Sequence, residues 1–226
     1  MLKMLAKGAN YLFGKVLQRK NVIISSSLGY LNRKREIDKN YFDYIRLAAL
    51  ELISYEISKK KLVGNVAELG VYKGKFARYI NQFFPDRSLY LLDTFEGFDN
   101  RDIKSETQNK FSTGEQDFSD TSVTSVLKSM PFPEKCIPVK GFFPESAKDM
   151  DDRFVFVSLD ADLYEPIYNG LQFFYPKIVP GGYIFIHDFN NDNYKGARKA
   201  VEQFCAEHKI NYMPIPDFGG SAVMIK

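Results

Sequence analysis

With 226 residues, 45% of them hydrophobic, the chain has room for one large α/β domain and an extension, and not for two full domains. Its 31 Lys and Arg against 28 Asp and Glu leave a net charge of +3 on a mixed surface. No basic stripe interleaved with aromatics occurs, so no nucleic-acid partner is expected. The two cysteines, Cys136 and Cys205, sit far apart in apolar contexts and read as buried reduced thiols of a cytosolic protein. No apolar run approaches the roughly 20 residues needed to cross a bilayer.

The first twenty residues, MLKMLAKGANYLFGKVLQRK, carry five Lys or Arg and no acid. Leu2, Leu5, Ala9, Leu12, Phe13 and Val16 recur at helical spacing, so residues 1–40 are expected to form a helical extension. Lys3, Lys7 and Lys15 interrupt what a signal peptide would keep apolar. An amphipathic helix of this kind suits peripheral contact with an anionic membrane surface, or docking on the domain or on a second subunit of a homo-oligomer. Gly8 and Gly14 weaken the helix and favour the docked alternatives.

From residue 41 a domain running to 226 is expected. A helix over 41–60 places Tyr44, Leu47, Ala48, Leu52, Tyr55 and Ile57 near helical period. The chain then alternates: strand 64–70, helix 74–84, strand 88–93, a long polar segment 94–120, helix 121–129, strands 136–140 and 154–160, helix 164–178, strand 182–187 and helix 195–208. Two extended runs near 210–215 and 221–226 flank PDFGG and suggest a closing hairpin. Such alternation predicts an α/β fold with a doubly wound, mostly parallel seven-stranded sheet. The polar segment is long for a compact domain and reads either as a cover over ligand or as a surface excursion.

Residues 63–97 carry the first chemical signal. The strand around Val66–Leu69 runs into Gly70 and Gly74, and LYLLD puts Asp93 at the end of the adjacent strand, where a carboxylate can accept from both ribose hydroxyls of a nucleoside. A dinucleotide site would read G-x-G-x-x-G. Here Tyr72 and Lys73 crowd the turn, and Glu68 would repel a pyrophosphate, which disfavours an NAD-dependent oxidoreductase. The E-x-G-x-x-x-G pattern followed by the second-strand acid instead resembles S-adenosylmethionine-dependent methyltransferases.

Two further strand ends carry acid: FVFVSLDADLY brings Asp160 and Asp162, and GGYIFIHDFNND brings His187 and Asp188. If these strands pair, Asp160 and Asp188 stand about 5 Å apart at the backbone. Close carboxylates call for a cation between them. With Asn190 nearby, a Mg²⁺-type site follows, able to accept substrate hydroxyls. Asp162 and Tyr164 read equally well as capping and packing residues of the next helix, and His208 as a solvated residue.

Together VAELGVYKGKFA, LLDTFEGF, GFFPES at 141–146, LDADLYEPIYNGLQFFYPKIVPGGYIFIHDFN and KGARKAVEQFC resemble the macrocin O-methyltransferase (TylF/MycF) family over about residues 41–226. The resemblance implies a class I methyltransferase that methylates a sugar hydroxyl of a bacterial saccharide, glycolipid or glycosylated natural product, assisted by a divalent metal. It implies Glu68, Gly70, Gly74, Asp93, Thr94, Phe95 and Asp160 as cofactor contacts, and Asp160 with Asp188 as metal carboxylates. The family reads Asp-Asp where this chain has His187-Asp188. Either His187 joins the ligands and shifts the site from Mg²⁺ toward softer ions, or no metal is held and His187 is a general base. His187 and Asp188 converge on one ligand only if their strand has already ended. An amino-sugar nitrogen as acceptor, and a non-catalytic adenosyl-nucleoside-binding scaffold, are the competing functions. The clustered acids argue against the scaffold.

Overall fold

The structure is a computed structural model that describes residues 43–226 continuously, together with scattered positions between Met4 and Arg19. The chain divides into two compact units, Met1–Phe42 and Asp43–Lys226. In the first, Met4, Leu5, Gly8, Tyr11–Gly14 and Val16 are helical, and the side chains of Met4, Leu5, Tyr11, Leu12, Phe13 and Val16 are exposed. Leu2 and Ala9 of the expected apolar face lie outside the described residues.

The second unit is built on one seven-stranded sheet in the order β3-β2-β1-β4-β5-β7-β6. The strands are β1 (Asn65–Leu69), β2 (Leu89–Asp93), β3 (Cys136–Lys140), β4 (Phe154–Leu159), β5 (Ile178–Ile186), β6 (Met213–Pro214) and β7 (Ala222–Ile225). The first five pair in parallel, and β7 slots between β5 and β6 antiparallel to both. The closing hairpin expected from PDFGG is therefore present. Strand order reverses between β1 and β4, the place where α/β sheets open a crevice at their carboxyl edge.

Every residue of β4 is buried, as a central parallel strand covered on both faces must be. On one face Ala67, Leu69, Val157, Leu159, Ile184 and Ile186 pack against α5 (Tyr164–Lys177) and α6 (Lys195–His208), which contribute Ile167, Leu171, Phe174, Val201 and Phe204. The other face meets α1 (Tyr44–Lys59) and α2 (Lys75–Phe83), with Phe84 stacked on Phe156 at 5.7 Å and Phe76 tilted on Phe185 at 6.1 Å. Each wholly buried phenylalanine contributes about 1.5–3 kcal/mol by leaving water.

Asp43 starts α1 by accepting from the Ile45 and Arg46 amides at 2.9 and 3.3 Å, a cap that stabilises a helix by about 1 kcal/mol. The buried face of α1 consists of Arg46, Ala48, Leu50, Ile53, Ser54 and Ile57, while Tyr44, Leu52 and Tyr55 are exposed. This corrects the phase expected from sequence. A helix with apolar residues on most sides does not declare which side faces the core.

The polar segment 94–120 is not a bare excursion. It contains α3 (Asn100–Gln108), capped by Asp99 and held down by Glu106. That carboxylate is 1% exposed and accepts from the Tyr164 amide at the start of α5 at 2.9 Å. Ser105 adds a bond to Glu165 at 2.9 Å. The chain then returns over the β1–α2 turn, where the Tyr72 hydroxyl donates to Asp120 at 2.5 Å and Phe118 meets both Tyr72 and Phe98 edge-on at 5.0 Å. From there α4 (Val123–Ser129) leads to β3.

Candidate active site

Asp93 ends β2, and its carboxylate gathers three backbone amides. Oδ2 accepts from Val71 at 2.6 Å and from Tyr72 at 2.9 Å, and Oδ1 accepts from Phe95 at 2.6 Å. Tyr72 and Phe95 both adopt left-handed backbone, with φ of 49° and 53°. Such conformations cost about 1–3 kcal/mol each, and charge-assisted hydrogen bonds of about 1.5–3 kcal/mol each offset them. Thr94 closes the same turn through a 2.6 Å bond from its hydroxyl to the Gly97 carbonyl. A carboxylate has about four acceptor positions. The three amides take up three of these, and the Thr94 hydroxyl lies 3.4 Å from Oδ1 beside the fourth.

The two glycines of the turn are required by their protein neighbours. A Cβ on Gly70 (φ 86°) would strike the carbonyl of Asp160, so this position joins the ends of β1 and β4. A Cβ on Gly74 (φ 73°) would lie 2.8 Å from Met130 Cε and 2.9 Å from Val126 Cγ1, so this position seats α4 against the start of α2. Glu68 lies in register with Ser158 beneath the turn, 1% exposed. Neither of its carboxylate oxygens has a hydrogen-bond partner among the described residues. Burial, with Asp160 nearby, pushes its carboxyl well above the usual range.

The second group of residues lies at the ends of β4 and β5. β4 stops at Leu159 and β5 at Ile186, so Asp160, His187 and Asp188 all fall beyond regular strand, the condition for His187 and Asp188 to face one point. Register pairs Leu159 with Ile186, which sets His187, rather than Asp188, beside Asp160. His187 Nδ1 is 3.0 Å from Asp160 Oδ1 and 2.8 Å from Asp188 Oδ2. Asp188 turns through φ 56°, and its other oxygen accepts from Asn191 at 2.7 Å. Asn190, the expected neutral donor, instead joins its amide to the Gly220 carbonyl and its side chain to Arg198.

Arg46, which carries no motif in the sequence, completes the cluster. It is 4% exposed on α1, its guanidinium lies 3.8 Å above the Phe76 ring, and NH2 donates to Asp160 Oδ2 at 2.9 Å. Burial alone would raise Asp160, but Arg46 and His187 hold its carboxyl well below the usual carboxylate range. Burial would likewise lower His187, yet Asp160 and Asp188 carry it up to about 10. Asp162 does not cap α5, whose cap is Leu163 without a side-chain bond. Burial and the neighbouring Asp188 and Asp160 instead push its carboxyl well above its ordinary value. His208 is exposed, as expected, and also tilts on the Phe204 ring at 4.3 Å.

The loop of PDFGG covers this cluster. Asp43 accepts from the Phe218 amide, Asp217 holds both the amide and hydroxyl of Ser221, and the Gly219 backbone lies against the Nε2 side of His187, where a Cβ would collide. To one side a cavity of about 790 Å³ opens between residues 107–116 and 192–195. Tyr194 on its wall is raised by burial and then by Asp162, Asp188 and Glu106, which ties the cavity to the acids.

The donor set fits a divalent cation: Asp160, His187 and Asp188 each offer one ligand atom, all within 4.8 Å of one another. The front of the rim fits an adenosyl cofactor with a cationic tail, since the acids Asp93 and Glu68 gather at this turn. Comparison with known proteins identifies the relationship. The macrocin-O-methyltransferase (TylF) sequence model matches residues 34–226. The chain belongs to that family. Its activity is S-adenosylmethionine-dependent O-methyl transfer. No curated protein matches the chain significantly. Among solved structures, the O-methyltransferase NovP superposes with a TM-score of 0.64 at 20% identity, covering 80% of this chain and 79% of that one. The apo form of CalS11, a TDP-rhamnose 3'-O-methyltransferase of calicheamicin biosynthesis, gives 0.57 at 16%, covering 97% and 93%. The S-adenosylhomocysteine-bound methyltransferase PaMTH1 of Podospora anserina gives 0.50 at 15%, covering 97% and 96%. At these identities the likeness concerns the fold, and the TylF match carries the activity. Among the described residues no helix is long and apolar enough to cross a membrane.

Proposed function

We propose that this TylF-family enzyme methylates a hydroxyl of a sugar, on a bacterial saccharide, glycolipid or glycosylated natural product, with a divalent cation held by Asp160, His187 and Asp188. The observation that carries this reading is the meeting of those three side chains at the ends of β4 and β5. A nearby cavity offers hydroxyl and amide groups (Thr107, Ser112, Thr113, Gln116, Asn193) together with the rings of Phe111 and Tyr194, a lining suited to a sugar with both polar edges and apolar faces. CalS11, whose substrate is a sugar, supports it by likeness of fold.

Asp93 organises the turn that receives the methyl donor, with Gly70, Gly74, Thr94 and Phe95 shaping its backbone and Glu68 lying beneath. The cation would supply acidification of the acceptor hydroxyl. His187, with Nδ1 turned toward the two carboxylates and the cation they would hold, is not free to take the hydroxyl's proton. Asp162, which neighbours Asp160 and Asp188, is the carboxylate assigned to take the hydroxyl proton as the methyl group arrives, once a cation offsets the charge of those two acids. The donor is already activated, so alignment of the two reactants supplies the larger share of rate, up to about 7–11 kcal/mol in favourable intramolecular cases.

The test is incubation of the purified chain with methyl-labelled S-adenosylmethionine, Mg²⁺ or Mn²⁺, and a panel of nucleotide-activated deoxysugars, aryl glycosides, amino sugars and catechols. Label in sugar hydroxyls supports the reading. Label in catechols or in amino-sugar nitrogen, with none in sugar hydroxyls, contradicts it.

A further inference from the structure

We infer that the cluster of Asp160, His187 and Asp188 is built for a borderline transition ion such as Mn²⁺, Fe²⁺ or Co²⁺ in preference to Mg²⁺. This rests on the proposed reading of the site. The preference follows from four features of the cluster.

First, the donor atoms are two carboxylate oxygens and one imidazole nitrogen within 4.8 Å. Mg²⁺ favours all-oxygen octahedra, whereas an imidazole among the ligands favours later divalent ions. Second, each carboxylate has one oxygen already committed. Arg46 holds Asp160 Oδ2 at 2.9 Å and Asn191 holds Asp188 Oδ1 at 2.7 Å. Each acid therefore presents one oxygen, Asp160 Oδ1 and Asp188 Oδ2, and the two outer partners fix its direction.

Third, Arg46 is a buried cation paired to one of the two acids, so the ligand set offers less negative charge than its carboxylates alone suggest. A small, strongly hydrated ion that depends on charge to shed its water loses most from that. Fourth, the imidazole is oriented before any ion arrives. Gly219 backbone occupies the Nε2 side of the ring, while Nδ1 faces both acids. A side chain larger than glycine at position 219 would collide with that ring.

The experiment uses the full chain, stripped of metal with chelator, and titrates it with MnCl₂ and with MgCl₂ separately by calorimetry, in the absence of acceptor. One Mn²⁺ per chain, bound at least about tenfold more tightly than Mg²⁺, is expected from the ordering of divalent affinities at mixed nitrogen and oxygen sites. Pulsed electron paramagnetic resonance of the Mn²⁺-loaded chain should show nitrogen coupling from an imidazole, and His187→Asp should abolish that coupling while narrowing the Mn²⁺ to Mg²⁺ ratio. Equal affinity for the two ions, no bound ion, or a wild-type spectrum without nitrogen coupling would each overturn the inference, and none of these needs a variant that folds. S-adenosylmethionine titrated in parallel separates the two readings. Binding of the donor with no ion preference overturns the metal inference alone, whereas an ion preference without donor binding overturns the methyltransferase assignment of the site.

Discussion

The two halves of the sheet rim hold their acids in opposite ways. At the ends of β1 and β2, Asp93 is fastened to backbone amides of Val71, Tyr72 and Phe95. At the ends of β4 and β5, Asp160 and Asp188 are fastened to side chains, Arg46, His187 and Asn191. The first arrangement fixes the shape of a loop and leaves little of the carboxylate for anything else. The second keeps charged groups close with partners that can be exchanged. A rim that must present a cofactor in one pose, and also rearrange charge around a reacting hydroxyl, needs both.

The comparison predicts different damage from similar substitutions. Asp162→Asn, which removes the proposed proton acceptor, should lower kcat about 10²–10⁴-fold with S-adenosylmethionine affinity unchanged in calorimetry. A comparable kcat for variant and wild type would remove Asp162 from the chemistry. Arg46→Ala strips the buried partner from Asp160. Loss of one side of a buried pair costs about 3–5 kcal/mol, so a clear fall in denaturant midpoint is expected. Arg46→Lys should recover only part of it, because it cannot reproduce the planar guanidinium over Phe76.

Acid and base should also separate the two halves. His187 in the ion-free protein is raised to about 10. A raised histidine adds stability that is full below its unfolded value, about 6.5, and is lost as pH climbs through the folded value. Thermal melts of metal-free wild type should therefore lose ground between about pH 6.5 and 10 relative to His187→Gln, by an amount of the order of a few kcal/mol at most. Parallel pH curves for the two proteins would contradict the pairing. Gly74→Ala should have the smallest effect, about 1–3 kcal/mol from left-handed strain and contact with Met130 and Val126, read as a lower melting temperature.

Much of the fold was legible because apolar strands and helices alternate along the chain and each strand ends on glycine or acid. Asp93, Asp160, His187 and Asp188 could be picked out because strand ends in a parallel sheet share an edge. What was not legible depended on distance in sequence. Arg46 meets Asp160 from 114 residues away, and a single arginine among aliphatic residues on a helix signals nothing by itself. The helix at Asn100–Gln108 escaped notice because it is polar almost throughout, its one buried residue being Glu106. Gly70 and Gly74 stood out as missing side chains, but their protein neighbours, the Asp160 carbonyl for one and Met130 with Val126 for the other, come from distant parts of the chain that sequence does not bring together. Asp162 read as a helix cap because aspartate so often is one.

The central claim, that the front of the rim holds the methyl donor while the back performs the chemistry, is tested most directly by calorimetric titration of S-adenosylmethionine into Asp93→Ala and Asp160→Asn side by side. The account predicts affinity falling at least about 100-fold in the first, as a charged hydrogen-bond hub is lost, and changing less than about threefold in the second, which nonetheless no longer turns over. Undiminished affinity in Asp93→Ala, or an equal loss in both variants, would contradict it.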